Sequence, residues 1–145
     1  MQVDFYQLAG TAPEQIIASL AEKVLAADGR LLIVAEDANH LARLDRMLWD
    51  QGAAGFLPHA VAGGAEDARQ PILLSTSPDA PNLARNILIA DGIWRDAALS
   101  YDRSFFLFDN GTLEDARLAW KLLAGREDVE RRYWAQEGGK WVKKA

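Results

Sequence analysis

Arg117, Trp120 and Lys121 carry the spacing in this chain that most resembles recognition chemistry. On a helix, positions i, i+3 and i+4 fall on one side, so the three residues set two cations around an indole. A cup of that kind is charged at its rim and apolar at its base. It suits an acidic peptide that ends in an aromatic residue or a free carboxylate. Phe106, in the apolar run just before, is the candidate floor. An ordinary amphipathic helix with Trp120 inward and both cations in water has the same pattern, and spacing alone leaves both readings standing. A second aromatic pair, Trp49 and Phe56, flanks a helix end and a short extended run. Exposed aromatics there would anchor a protein interface, since tryptophan is enriched at binding hot spots. The other reading has Trp49 closing the core beneath residues 50–55.

Residues 127–145 interleave Arg131, Arg132, Lys140, Lys143 and Lys144 with Tyr133, Trp134 and Trp141. Basic residues among aromatics can hold single-stranded nucleic acid. Glu127, Asp128, Glu130 and Glu137 dilute that charge, and a segment wrapping back on the body accounts for the pattern more simply. The 145-residue chain has a formal charge of −5. Residues 1–109 hold 8 basic and 15 acidic side chains, whereas residues 110–145 hold 8 basic and 6 acidic. An acidic body repels phosphates, so direct nucleic-acid binding is not expected, and the locally basic end fits a small acidic partner.

Signs of catalysis are sparse. The junction after the first apolar run reads Ala9-Gly10-Thr11-Ala12-Pro13, without the three glycines that let a backbone approach a pyrophosphate. Gly63-Gly64 lacks the lysine of a phosphate loop. His40 and His59 are the only histidines and cysteine is absent, so neither a thiolate nor a histidine–cysteine metal set can form. Glu36-Asp37 stands where a nucleotide fold holds a ribose, but helix capping explains it more simply. No catalytic, cofactor-binding or metal-binding residue is assigned. No apolar run reaches the roughly 20 residues of a membrane span, and the start carries no leader pattern. A soluble cytoplasmic protein is expected.

The elements that must position these residues are legible from periodicity. Val3–Leu8 reads as a strand. Thr11-Ala12-Pro13-Glu14 is a capping box that opens a helix bearing Ile16, Ile17, Leu20 and Val24. Asp28-Gly29 stops it. Arg30–Ala35 is a continuous apolar run of the type found in strands buried on both faces. A second helix buries Leu41, Leu44, Met47 and Leu48 and ends near Trp49. Gly55–His59 reads as a short strand stopped by proline, and 62–70 as a surface loop. Ile72–Thr76, Asn86–Ala90 and Ser104–Phe108 are further strands, the last of them turning at Asp109–Thr112 into a helix that runs to Ala124. Strand–helix alternation predicts an α/β fold: one Rossmann-like domain over 1–145, with a largely parallel sheet flanked by helices and no nucleotide-binding motif.

The ordered set of motifs resembles the chi subunits of bacterial DNA polymerase III. It comprises Phe5-Tyr6-Gln7-Leu8, Leu32-Ile33-Val34-Ala35-Glu36-Asp37, Arg43-Leu44-Asp45-Arg46-Met47-Leu48-Trp49, Phe56-Leu57-Pro58-His59, Asn86-Ile87-Leu88-Ile89, Arg117-x-x-Trp120-Lys121 and a Trp-rich ending. The resemblance implies a non-catalytic clamp-loader subunit without a cofactor, acting in DNA replication, and a monomer is expected in isolation. It also implies two partners. The psi subunit would dock on the surface of Trp49 and Phe56, which is also expected to receive a helicase-like repair protein. The acidic, Phe-ended C-terminal tail of single-stranded DNA-binding protein would bind at Arg117, Trp120 and Lys121, with an apolar contact near Phe106. Trp120 stands where some members have Tyr, and Phe106 where some have a smaller aliphatic residue. A small nucleotide-binding α/β enzyme and a direct single-stranded DNA binder are the rival readings.

Overall fold

Alternate residues of successive strands divide the interior into two apolar clusters. Leu31 and Ile33 face one and Leu32 and Val34 the other; Ile72 and Leu74 oppose Leu73 in the same way, and Phe105 and Leu107 oppose Phe106 and Phe108. A sheet that buries both faces needs helices on both, and parallel strands joined by crossovers supply them. The computed structural model describes residues 1–9, 13–50, 57–137 and 140–145.

The strands are β1 (Gln2–Gln7), β2 (Leu31–Val34), β3 (His59–Val61), β4 (Ile72–Ser75), β5 (Asn86–Ile89), β6 (Arg103–Phe108), β7 (Glu130–Glu137) and β8 (Lys140–Lys143). They form one eight-stranded sheet in the order β3-β4-β2-β5-β6-β1-β7-β8. Every neighbouring pair is parallel except the last, where β7 and β8 run antiparallel. Helices α1 (Pro13–Ala26) and α2 (Ala38–Asp50) cover one face, and α3 (Leu113–Ala124) covers the other. The α/β, largely parallel, Rossmann-like architecture is the one the periodicity predicts.

Local chemistry sets the helix ends. Asp37 caps α2 by accepting from the Asn39 amide at 2.8 Å. Asp28 takes a left-handed φ of 59° after α1, and the Gly29 amide donates back to the Val24 carbonyl at 2.9 Å. Asp109 and Thr112 form a reciprocal capping box just before α3. The Thr11 capping box lies outside the described residues.

The structure differs from the periodicity in two places. Ser104–Phe108 is not the last strand, because 127–145 wraps back as β7 and β8. Their Arg and Glu side chains mask the strand pattern, yet Arg132 pairs with Glu130 and Lys144 with Glu137 along the surface. The short third strand begins after Pro58 rather than ending at it, so His59 opens β3. Proline has no N–H for a ladder, which makes the position just before a strand its natural place. Loop 62–70 is as expected, with the Asp67 carboxylate accepting from the Gly63 and Gly64 amides at 2.9 and 3.1 Å. Among the described residues, no helix is long and apolar enough to cross a membrane.

Gly92 joins β5 to the cap of α3. Its φ is +71°, and a Cβ there would lie 2.6 Å from the Thr112 hydroxyl oxygen and 2.7 Å from the Thr112 Cβ. Gly92→Ala therefore combines left-handed backbone strain with a steric clash. It should lower unfolding stability by about 2 kcal/mol in urea titrations, with the slope unchanged.

Candidate functional site

Helix α3 turns Ala116, Ala119 and Leu123 to the core. Small residues at the first two positions let the helix lie close to the sheet, and the same 3.6-residue period turns Arg117, Leu118, Lys121 and Leu122 outward. Neither Arg117 nor Lys121 forms a salt bridge with another described residue. Leu118 and Leu122 are 61% and 70% exposed, so the cations stand beside an apolar stripe.

Trp120 is half-buried and held from two sides. Its ring meets Phe5 edge-on with centroids 5.2 Å apart, and Tyr133 likewise at 5.9 Å. The Arg131 guanidinium lies 4.0 Å from the ring centroid and donates to the Trp120 carbonyl oxygen at 2.7 Å. This contact fixes the indole against β7. Beside it opens a cavity of about 180 Å³, with Phe108, Leu113, Ala116, Arg117 and Trp120 on one side and Tyr133, Lys144 and Ala145 on the other. That is below the roughly 300 Å³ of a small-molecule site, and its scale fits one side chain.

The structure thus brings Arg117 and Trp120 together at a cavity and leaves Lys121 exposed on the same helix, outside the lining. Phe106 is not the floor. It is completely buried against Phe5, Phe108 and Trp94, and Phe108, two residues on and on the same side of the sheet, lines the cavity instead. Tyr133 and Lys144 were missed from sequence. The signal was there in Tyr133 and Trp134 set among charges, then Gly138-Gly139, then Lys140-Trp141-Val142-Lys143, which is hairpin chemistry.

Trp49 stands at the opposite end of the sheet, 56% exposed on the last turn of α2. It does not close the core. Its ring packs on His59 at 4.8 Å, and His59 is itself buried, with ring nitrogens 2.6 Å from the Leu57 carbonyl oxygen and 3.1 Å from the Asp45 carboxylate. Phe56 lies outside the described residues. A wider groove of about 580 Å³ between α1 and α2 is lined by Glu14, Arg43, Arg46 and Asp50, charges of both signs.

The carboxyl ends of the strands, where a nucleotide fold binds its ligand, present Asp91 and Asp109 in a crevice of about 290 Å³. Burial alone would raise the Asp91 carboxyl. Two bonds from Arg95, each 3.0 Å, and amide bonds from Glu36 and Ile93 outweigh burial and hold it below the usual range. No described lysine or arginine lines this crevice to meet a phosphate.

Residues 1–128 match the sequence family described as DNA polymerase III chi subunit, HolC. DNA polymerase III subunit chi of Escherichia coli (strain K12) is 31% identical over 80 residues, 55% of this chain and 54% of that protein. The alignment spans about half the length of this relative. The chain belongs to the DNA polymerase III chi subunit family.

Burial raises the Tyr133 phenol above its ordinary value, and the Arg117 charge opposes that rise. Removing the cation should therefore push Tyr133 further up. An NMR titration of the Tyr133 ring in Arg117→Ala should give a higher pKa than in the unaltered protein. Equal values would place the guanidinium away from the cavity.

Proposed function

We propose that this chi-family chain is a non-catalytic coupling subunit of the DNA polymerase III clamp loader. It joins the psi subunit to the acidic C-terminal tail of single-stranded DNA-binding protein. The observation that carries the reading is the cavity beside Trp120, apolar within and rimmed by Arg117, with no internal carboxylate pairing that guanidinium among the described residues. A terminal aromatic ring fits the cavity, and Arg117 and Lys121 attract the carboxylates that precede it.

The psi contact is assigned to the Trp49–Phe56 side on family grounds, supported by the exposure of Trp49 beside β3. Strands β3 and β7 are the first and seventh of the sheet. At about 4.8 Å per strand they lie roughly 30 Å apart. Partners at that separation can bind together, and mutations at one site should leave the other unaffected.

The rival readings draw less support. A carboxyl edge without a lysine or arginine among its described lining residues disfavours a nucleotide. Direct strand binding needs open aromatic faces, yet Trp134 stacks on Tyr6 at 6.2 Å and Trp141 meets the same ring edge-on at 5.1 Å. Arg131 is held on Trp120, over its ring and by its carbonyl oxygen.

Calorimetry with an acidic peptide ending in phenylalanine tests the reading. Arg117→Ala should weaken the peptide about tenfold, on the order of 1.4 kcal/mol, and leave psi binding intact. Trp49→Ala should do the reverse. Raising salt should weaken the peptide more than psi. Loss of both partners in both variants would refute the two-surface assignment.

A further inference from the structure

We propose that the β7–β8 hairpin is the second wall of the peptide site, and that Lys144 binds the free α-carboxylate of the peptide's last residue. The inference rests on the peptide reading above and extends it to residues beyond the family match. That match ends at residue 128, whereas the hairpin runs from Glu130 to Lys143.

Three observations converge. The cavity is built from two sides, with Tyr133 and Lys144 closing what α3 leaves open. Backbone bonds fix that closure: the Lys144 amide donates to the Tyr133 carbonyl oxygen at 2.7 Å, and the Tyr133 amide to the Ala145 carbonyl oxygen at 3.2 Å. The Tyr133 ring stands 5.8 Å from Phe108 and 5.9 Å from Trp120, so one aromatic side chain of β7 joins both walls.

Lys144 is also available for exchange. Its partner is Glu137, and the two side chains are 42% and 56% exposed. Exposed pairs of this kind contribute little to stability, so an incoming carboxylate can take Glu137's place. Lys121 does not line the cavity, which leaves Arg117 and Lys144 as the two cationic residues that do. A ring seated in the cavity beside Trp120 and Tyr133 carries its own α-carboxylate toward those cations. The more distant acidic residues of the peptide then run toward Lys121.

The test uses the full chain and two synthetic peptides, both acidic and ending in phenylalanine, one with a free carboxylate and one with a terminal amide. The unaltered protein should prefer the free carboxylate. Lys144→Gln should weaken that peptide about fivefold and leave the amidated one unchanged. Glu137→Gln should tighten the free-carboxylate peptide, because it removes the internal competitor. Wild-type affinities in both hairpin variants, with Arg117→Ala still defective, would overturn the role of the hairpin and spare the peptide reading. Failure of the unaltered protein to bind either peptide would overturn both.

Discussion

A carboxylate without water must be met by donors, because an unpaired charge in the interior is prohibitive. Asp4 is completely buried on β1 and finds three. Gln2 donates at 2.9 Å from the same strand, Arg103 at 2.9 Å from β6, and the Trp134 indole at 3.1 Å from β7. The two neighbours of β1 in the sheet are thus fastened to one anion. Arg103 also lies 4.5 Å from the Phe105 ring centroid, which keeps its guanidinium in place. This fastening matters beyond stability because β7 brings Tyr133 and Arg131 to Trp120. With β7 displaced, α3 would keep its cations but lose the far wall of the cavity.

The burial of Asp4 was not legible in the sequence, and the reason is physical. A lone aspartate in an apolar strand is indistinguishable from a solvent-facing one until its cross-strand partners are known, and those lie 99 and 130 residues away. Local features fared better. The four buried residues of α2 and the start and stop of α3 follow from periodicity and capping, which depend only on near neighbours. The site was half legible: Arg117 and Trp120 share a helix face that spacing reveals, whereas Tyr133 and Lys144 reach it through strand pairing. Phe106 and Phe108 face the same side with period two, and only the placement of α3 decides which of them meets the cavity.

The two proposed partner surfaces differ in character as well as place. Around Trp49 the contact is one exposed indole tilted against a buried histidine, a residue type enriched at binding hot spots. Around Trp120 it is a small apolar hollow under mobile-length cations, which suits a short charged peptide held with modest affinity. Modest affinity is adequate for a tether if many copies of the peptide are displayed on one coated strand, since effective concentration then replaces intrinsic strength. A firm contact on one side and an exchangeable one on the other would let the assembly stay whole while its hold on the strand is renewed.

The tight packing beside the crevice at the carboxyl edge bears on how a nucleotide-type sheet could serve the proposed tether instead. Ligands of open parallel sheets enter at the strand ends. There Gly92 lies against Thr112 so closely that a single methyl group would clash, and Arg95 folds onto Asp91. Thr112 is at the same time half of the capping box of the 3-10 turn Asn110–Thr112 that leads into α3. The Gly92–Thr112 contact at this edge therefore lies at the start of α3, whose 3.6-residue period sets the side on which Arg117 and Trp120 emerge. Widening the edge for a nucleotide would move the helix that carries the proposed peptide site, so the two uses of the fold compete.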